Sequence, residues 1–184
     1  DDVVYKVYNT NNPGMIFSWG KLDVDATGFG YDLMRHSKAF FCASSELIGL
    51  YDEGNDLRFS RYYDKYDFNN YDEGIFYVAT KNYCKASTAN EAYDQALRLE
   101  EAYLNRAEAY IEKGEHELGM DDVNAIRAER IKGEYELVAN SVDEAREFYR
   151  LEKRLEFSFE GLRWFDIRRW GLEIEHLYQD YSTP

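Results

Sequence analysis

The strongest constraint in this sequence is a pair of helical stretches joined by a link so short that they must pack antiparallel. The first, STANEAYDQALRLEEAYLNRAEAYIEKGE, is expected to begin near Thr88 to Asn90 and to close at Gly114. Thr88 and Glu91 have the spacing of a capping box. Leu99, Tyr103, Ala107 and Tyr110 recur at helical spacing and are the expected inner face. The second, HELGMDDVNAIRAERIKGE, is expected to run to about Gly133, with an apolar face of Leu118, Val123 and Ile126 and with Met120 nearby. Ala102, Ala107 and Ala109 are small where the two helices would come close. A third helix is predicted from Ser141, where Ser141 and Glu144 repeat the capping-box pattern. Its stripe of Phe148, Leu151, Leu155, Phe159 and Leu162 recurs at spacings of 3, 4, 4 and 3.

That third stretch runs into LEKRLEFSFEGLRWFDIRRWG, which sets arginines directly against aromatic residues. Between Arg146 and Trp170 there are seven bases and five acids, too evenly mixed to make a field of one sign. Guanidinium groups suit forked, partly buried bonds to carboxylates, while their stems cover aromatic rings. Glu147, Arg150, Glu152, Lys153, Arg154 and Glu156 are expected to fall mostly beside the apolar stripe. Arg163, Arg168 and Arg169 are expected to pair with acids such as Glu156, Glu160 and Asp166, and with acids of the first long helix. Trp164, Phe165 and Trp170 then read as a structural corner and not as a ligand platform.

The front half is less regular. GMIFSWG and EGIFYVATKNY are short β-type runs. LRFSRYYDKYDF is placed to form a hairpin with the second of them across NNYDEG. SSELIGLYD reads as a short helix capped by Ser44 or Ser45, with Leu47, Ile48 and Leu50 on its apolar face. Asp23 to Met34 opens like a calcium loop, but Met34 stands where a bidentate Glu is required, so no metal is assigned. Cys42 and Cys84 lack metal spacing and read as two buried free thiols.

Charge and motifs exclude several functions. The 184 residues carry a formal net charge of -14. Residues 1–90 hold 13 acids and 9 bases, and residues 91–184 hold 23 and 13. Both halves would repel a phosphate backbone, so nucleic acid is not an expected partner. No apolar run reaches the ~20 residues needed to span a bilayer. The three histidines are isolated, and neither a P-loop, a GxGxxG nor an HExxH is present. No cofactor is therefore expected. The chain opens DDVVYKVYNT without an initiator Met and reads as a fragment or a processed product.

Leu99 to Arg130 resembles one tetratricopeptide hairpin, with no second copy in the sequence. Together with RLEEAYLNRAEAYIEKGE and VNAIRAER, the motif EKRLEFSFEGLRWFDIRRWG resembles the signature of the SusD/RagB family, surface glycan-binding lipoproteins of the starch-utilisation type. NPGMIFSWG and SSELIGLYDEGNDLRFSRYY are similar to that family's upstream segments, in the same order. The resemblance implies a mainly α fold: a tetratricopeptide-like helical hairpin plus further helices, with an irregular loop-rich front half containing a small β-hairpin. It divides the chain into a loop-rich segment, 1–86, and a helical part, 87–184, forming one compact unit that is a piece of a longer protein. It also implies a non-catalytic role at the outer membrane of a Gram-negative bacterium, through a lipid anchor absent from this chain. The implied partners are an oligosaccharide or polysaccharide and a TonB-dependent transporter. Sugar capture rests on aromatic faces beside polar side chains. Trp19, Phe29, Tyr31 and Phe40, with Asp32 and Arg35 among them, are the candidate ligand-binding residues. A tetratricopeptide-type adaptor for a protein segment and a glycoside hydrolase stand as rival readings.

Overall fold

A computed structural model describes residues 12–19, 42–67, 75–79, 81 and 95–174. In chain order these form β1 (Met15–Trp19), α1 (Ser45–Gly49), α2 (Leu57–Tyr62), β2 (Tyr63–Asp67), β3 (Ile75–Ala79), β4 (Gln95–Arg98), α3 (Leu99–Glu112), α4 (His116–Ala128), α5 (Val142–Glu156) and α6 (Arg163–Trp170). The strands make two separate antiparallel pairs, β1 with β4 and β2 with β3. The fold is mainly α, as expected.

The antiparallel hairpin of α3 and α4 is present, but its phase differs from the expected one. Leu104, Ala107 and Ile111 are buried against Met120, Val123 and Ile126. Leu99 and Leu118, both assigned inward, are 46% and 47% exposed. Tyr103 and Tyr110 are only half-buried. Of the three alanines only Ala107 is buried; the close approach is made instead by Gly119. A Cβ there would lie 2.6 Å from Ile111 Cγ1 and 2.9 Å from the Ala107 carbonyl oxygen. Gly114, at φ +85°, turns the chain between the helices in a region that costs other residues a Cβ clash.

The first helix also starts later than its propensity predicts. Gln95–Arg98 is a strand, with Leu97 opposite Phe17 and Gln95 opposite Trp19. Thr88 and Glu91 lie outside the described residues. Helix α4 ends at Ala128, short of Gly133, because the next residues pair with the front half. Leu57 N donates to Arg130 O at 2.8 Å and Lys132 N to Asn55 O at 2.9 Å.

The β2–β3 hairpin appears where the β-type runs on either side of NNYDEG placed it, with Tyr63 opposite Ala79 and Asp67 opposite Ile75. The preceding LRFSRY is helical instead, because Asp56 accepts the Arg58 amide at 2.9 Å and caps α2. Ser44 caps α1 through the Leu47 amide.

Helix α5 is the spine. Ser141 accepts the Glu144 amide at 3.1 Å, and the Glu144 carboxylate returns to the Asn140 amide at 2.7 Å, so the capping box forms with its return bond one residue earlier. Ala145 and Tyr149 enter the core shared with α3 and α4, while Leu155 enters a second core with Tyr51, Phe59, Tyr62, Tyr63 and Val78. Each fully buried large apolar side chain contributes about 1.5–3 kcal/mol, so α5 unites two cores that would each be small. The predicted stripe does not continue as one helix. Helix α5 stops at Glu156, Phe159 takes φ 61° and Gly161 φ 81°, and α6 starts afresh.

Candidate functional site

Glu152 and Glu156, four apart, share one side of α5, and Glu160 follows in the turn beyond it. Against expectation, Glu152, Lys153 and Glu156 do not lie beside the buried surface but inside it. Bases from four other places meet them. Glu156, 0% exposed, accepts from Arg58 Nη1 at 3.4 Å, Arg98 Nη1 at 3.1 Å and Arg130 Nε at 3.1 Å. Tyr62 donates its hydroxyl to the same carboxylate at 3.3 Å. Arg58 also reaches Asp56 at 2.8 Å and Glu152 at 2.6 Å, and Arg127 holds the other oxygen of Glu152 at 3.1 Å. Arg98 forks onto Glu160 at 2.7 and 3.3 Å. Lys81 pairs with Glu160 and donates to the Glu156 carbonyl, with its ammonium 4.1 Å from the centre of the Tyr62 ring.

The charges answer one another. Burial alone would raise the pKa of Glu156, but Arg130, Arg98, Arg58 and Lys81 overcome it and hold the carboxyl well below the usual range. Burial pushes the Lys81 ammonium down to about 8, against the upward pull of Glu160. Burial, reinforced by Glu156, raises the Tyr62 phenol. A carboxylate this sealed and this firmly ionised is not placed to give a proton to a substrate. The network ties α2 and Lys81 to the helical frame.

A second cluster lies at α6. Trp170 donates to Glu108 at 3.2 Å, meets Tyr149 edge-on at 6.0 Å, and is flanked by Arg150, Lys153 and Arg169 at 4.8, 5.5 and 5.2 Å. Lys153 also binds Asp166 at 2.9 Å. Arg169 pairs with Asp166 and with Glu108 of the long helix, as expected. Arg163 and Arg168 form no ion pair among the described residues; burial and the neighbouring Arg154 lower the pKa of Arg163. The structural corner is thus Trp170 alone. Trp164 and Phe165 are 55% and 67% exposed. The helical repeat explains the difference: Asp166 and Trp170, four apart, turn inward and carry Trp164 and Phe165 outward.

Of the six predicted ligand-binding residues, Trp19 closes β1, its backbone opposite Gln95. Phe29, Tyr31, Asp32, Arg35 and Phe40 lie outside the described residues, as do Asp23 to Met34 and Cys84. The described chain resumes at Cys42, a half-buried free thiol whose pKa burial raises. The next amide, Ala43, donates to Tyr77 O of β3 at 2.8 Å. The sequence reading missed Arg58, Lys81, Arg98 and Arg130 as partners of the C-terminal acids. The available signal was the glutamate repeat itself, since acids set beside the apolar stripe of a core helix and in the turn after it require bases from elsewhere once buried.

Comparison with known proteins adds the following. The SusD family model matches residues 51–184. A SusD-like protein from Bacteroides fragilis superposes with a TM-score of 0.59 at 22% identity, over 88% of this chain and 44% of its own. A SusD-like carbohydrate binding protein from Bacteroides vulgatus gives 0.62 at 19% identity, over 95% and 40%. The chain therefore spans less than half the length of either. No curated protein matches it.

Proposed function

The chain belongs to the SusD family, and on that footing we propose that it serves non-catalytic capture of a glycan at a bacterial cell surface and delivery to a TonB-dependent transporter. The observation that carries this reading is the family match across residues 51–184, which includes the arginine-rich motif and the network built on it. The Bacteroides vulgatus neighbour, described as carbohydrate binding, supports the ligand class. In this reading residues 1–86 supply the ligand loops and 87–184 the scaffold. Trp19, Phe29, Tyr31 and Phe40 stack on sugar rings, while Asp32 and Arg35 hydrogen-bond hydroxyls. In this reading the protein is held at the outer membrane by a lipid anchor. Among the described residues no helix is long and apolar enough to cross a membrane.

Isothermal titration against a panel of oligosaccharides, with a reducing-end assay on the same mixtures, tests the proposal. Binding without new reducing ends is expected, and it should be lost in a Trp19→Ala, Phe29→Ala, Tyr31→Ala variant whose melting temperature is nearly unchanged. New reducing ends would make the protein a hydrolase. Silence on every sugar, with binding of peptide, would make it an adaptor.

A further inference from the structure

Among the described residues the two strand pairs share no strand and no ladder hydrogen bond. Among these residues a carboxylate oxygen of the turn after α5 meets a base from each pair. Arg98 is the last residue of β4, and through that strand it carries β1; Leu99 N also donates to Gly14 O at 2.7 Å. Lys81 lies two residues past the end of β3, the strand whose Tyr77 carbonyl accepts the Ala43 amide. Arg98 Nη2 and Lys81 Nζ converge on the same oxygen, Oε1 of Glu160.

We propose that Glu160 is a positioning residue that couples the β1–β4 pair to the β2–β3 hairpin, with Arg98 and Lys81 as its two arms. The side chains of all three are almost wholly buried, so neither water nor salt competes for the carboxylate. The arms are unequal. Arg98 keeps Glu156 at 3.1 Å and Glu100 at 3.2 Å if Glu160 is neutralised. Among the described residues Lys81 would keep the backbone carbonyls of Glu156 and Ser158, the face of Tyr62 and the more distant charge of Glu156. The hairpin is therefore the side that loosens first. This inference does not depend on the identity of any ligand, although the positions it couples, Trp19 and Ala43, flank the segment assigned to sugar capture.

Site-resolved amide hydrogen exchange on the 184-residue chain at pH 7, without ligand, tests it. Glu160→Gln should lower the protection of Ala43 by about tenfold or more, the factor a lost charge-assisted hydrogen bond carries. The amides of β1 and β4 should loosen less, and Ile111 and Val123 in the helical hairpin should not change. Lys81→Met should expose Ala43 alone. Combined with Glu160→Gln it should add little, because both remove the same bond. Equal loss at Ala43, Ile111 and Val123 would mean general destabilisation and overturn the proposal. So would no loss at Ala43, or full additivity in the double variant. If Glu160→Gln does not fold, Lys81→Met decides by the same comparison of Ala43 with Ile111 and Val123.

Discussion

Replacing Glu156 by Gln removes one negative charge from the place where three guanidinium groups meet. The volume is preserved, so the loss is electrostatic. Neither oxygen is left idle in the native state, since one accepts from Arg98 and Tyr62 and the other from Arg130 and Arg58. Breaking a buried ion pair from one side typically costs about 3–5 kcal/mol, because the opposite charge stays buried without its partner. Here some compensation remains through Asp56, Glu152, Glu100 and Glu160, which places the expectation at the lower end, about 3 kcal/mol. For a chain of this size each kcal/mol moves the melting temperature by about 2–4 °C, so a fall of about 6–12 °C is expected. Thermal and urea unfolding followed by far-UV circular dichroism would read it. The pH dependence gives a second reading with a fixed sign. The folded pKa of Glu156 lies below that of a glutamate in the unfolded chain. Its ionised form therefore stabilises the fold above about pH 4.3, and the contribution fades as the pH falls toward the folded value. The acid limb of a stability-against-pH curve should be shallower in Glu156→Gln than in the parent. A variant within 1 kcal/mol of the parent, or one with an equally steep acid limb, would refute the assignment of Glu156 as the charged centre of the core.

Other substitutions test the packing. Gly119→Ala places a methyl 2.6 Å from Ile111 Cγ1 and 2.9 Å from a carbonyl oxygen that cannot easily move, and should cost about 1–3 kcal/mol in urea unfolding. Trp164→Ala and Phe165→Ala, at exposed positions, should each stay within about 0.5 kcal/mol of the parent. Trp170→Ala, which strips a ring flanked by three cations and frees a bond to Glu108, should cost more than about 2 kcal/mol in the same measurement.

Local signals were legible where the interaction that decides the structure is local. The α5 capping box, the α1 cap and the β2–β3 hairpin each depend on residues within a few positions, and each formed close to where it was placed. Gln95–Arg98 failed for the opposite reason. Gln, Ala, Leu and Arg all favour helix, yet β1, some eighty residues earlier, pairs with them and delays the helix to Leu99. The inward face of α5 was misread similarly. Its apolar stripe was visible, but Glu152 and Glu156 are buried because Arg58 and Arg98 arrive from 94 and 58 residues away. In the eight-residue α6 a single turn of phase decides which aromatic rings face water, and composition does not fix that phase. Most of the candidate ligand site lies outside the described residues, so its reading rests on sequence.

The buried network joins five bases, Arg58, Lys81, Arg98, Arg127 and Arg130, to five acids, Asp56, Glu100, Glu152, Glu156 and Glu160. Its sum is zero, so the chain's fourteen surplus negative charges are all carried elsewhere. The network is then an electroneutral kernel, while acids such as Glu46 and Asp143 stand exposed to water. Mobile counterions screen exposed charges beyond a Debye length of about 8 Å, while the kernel stays closed to them. Added salt should therefore ease crowding among neighbouring copies of the molecule without dissolving the bonds that hold each copy together.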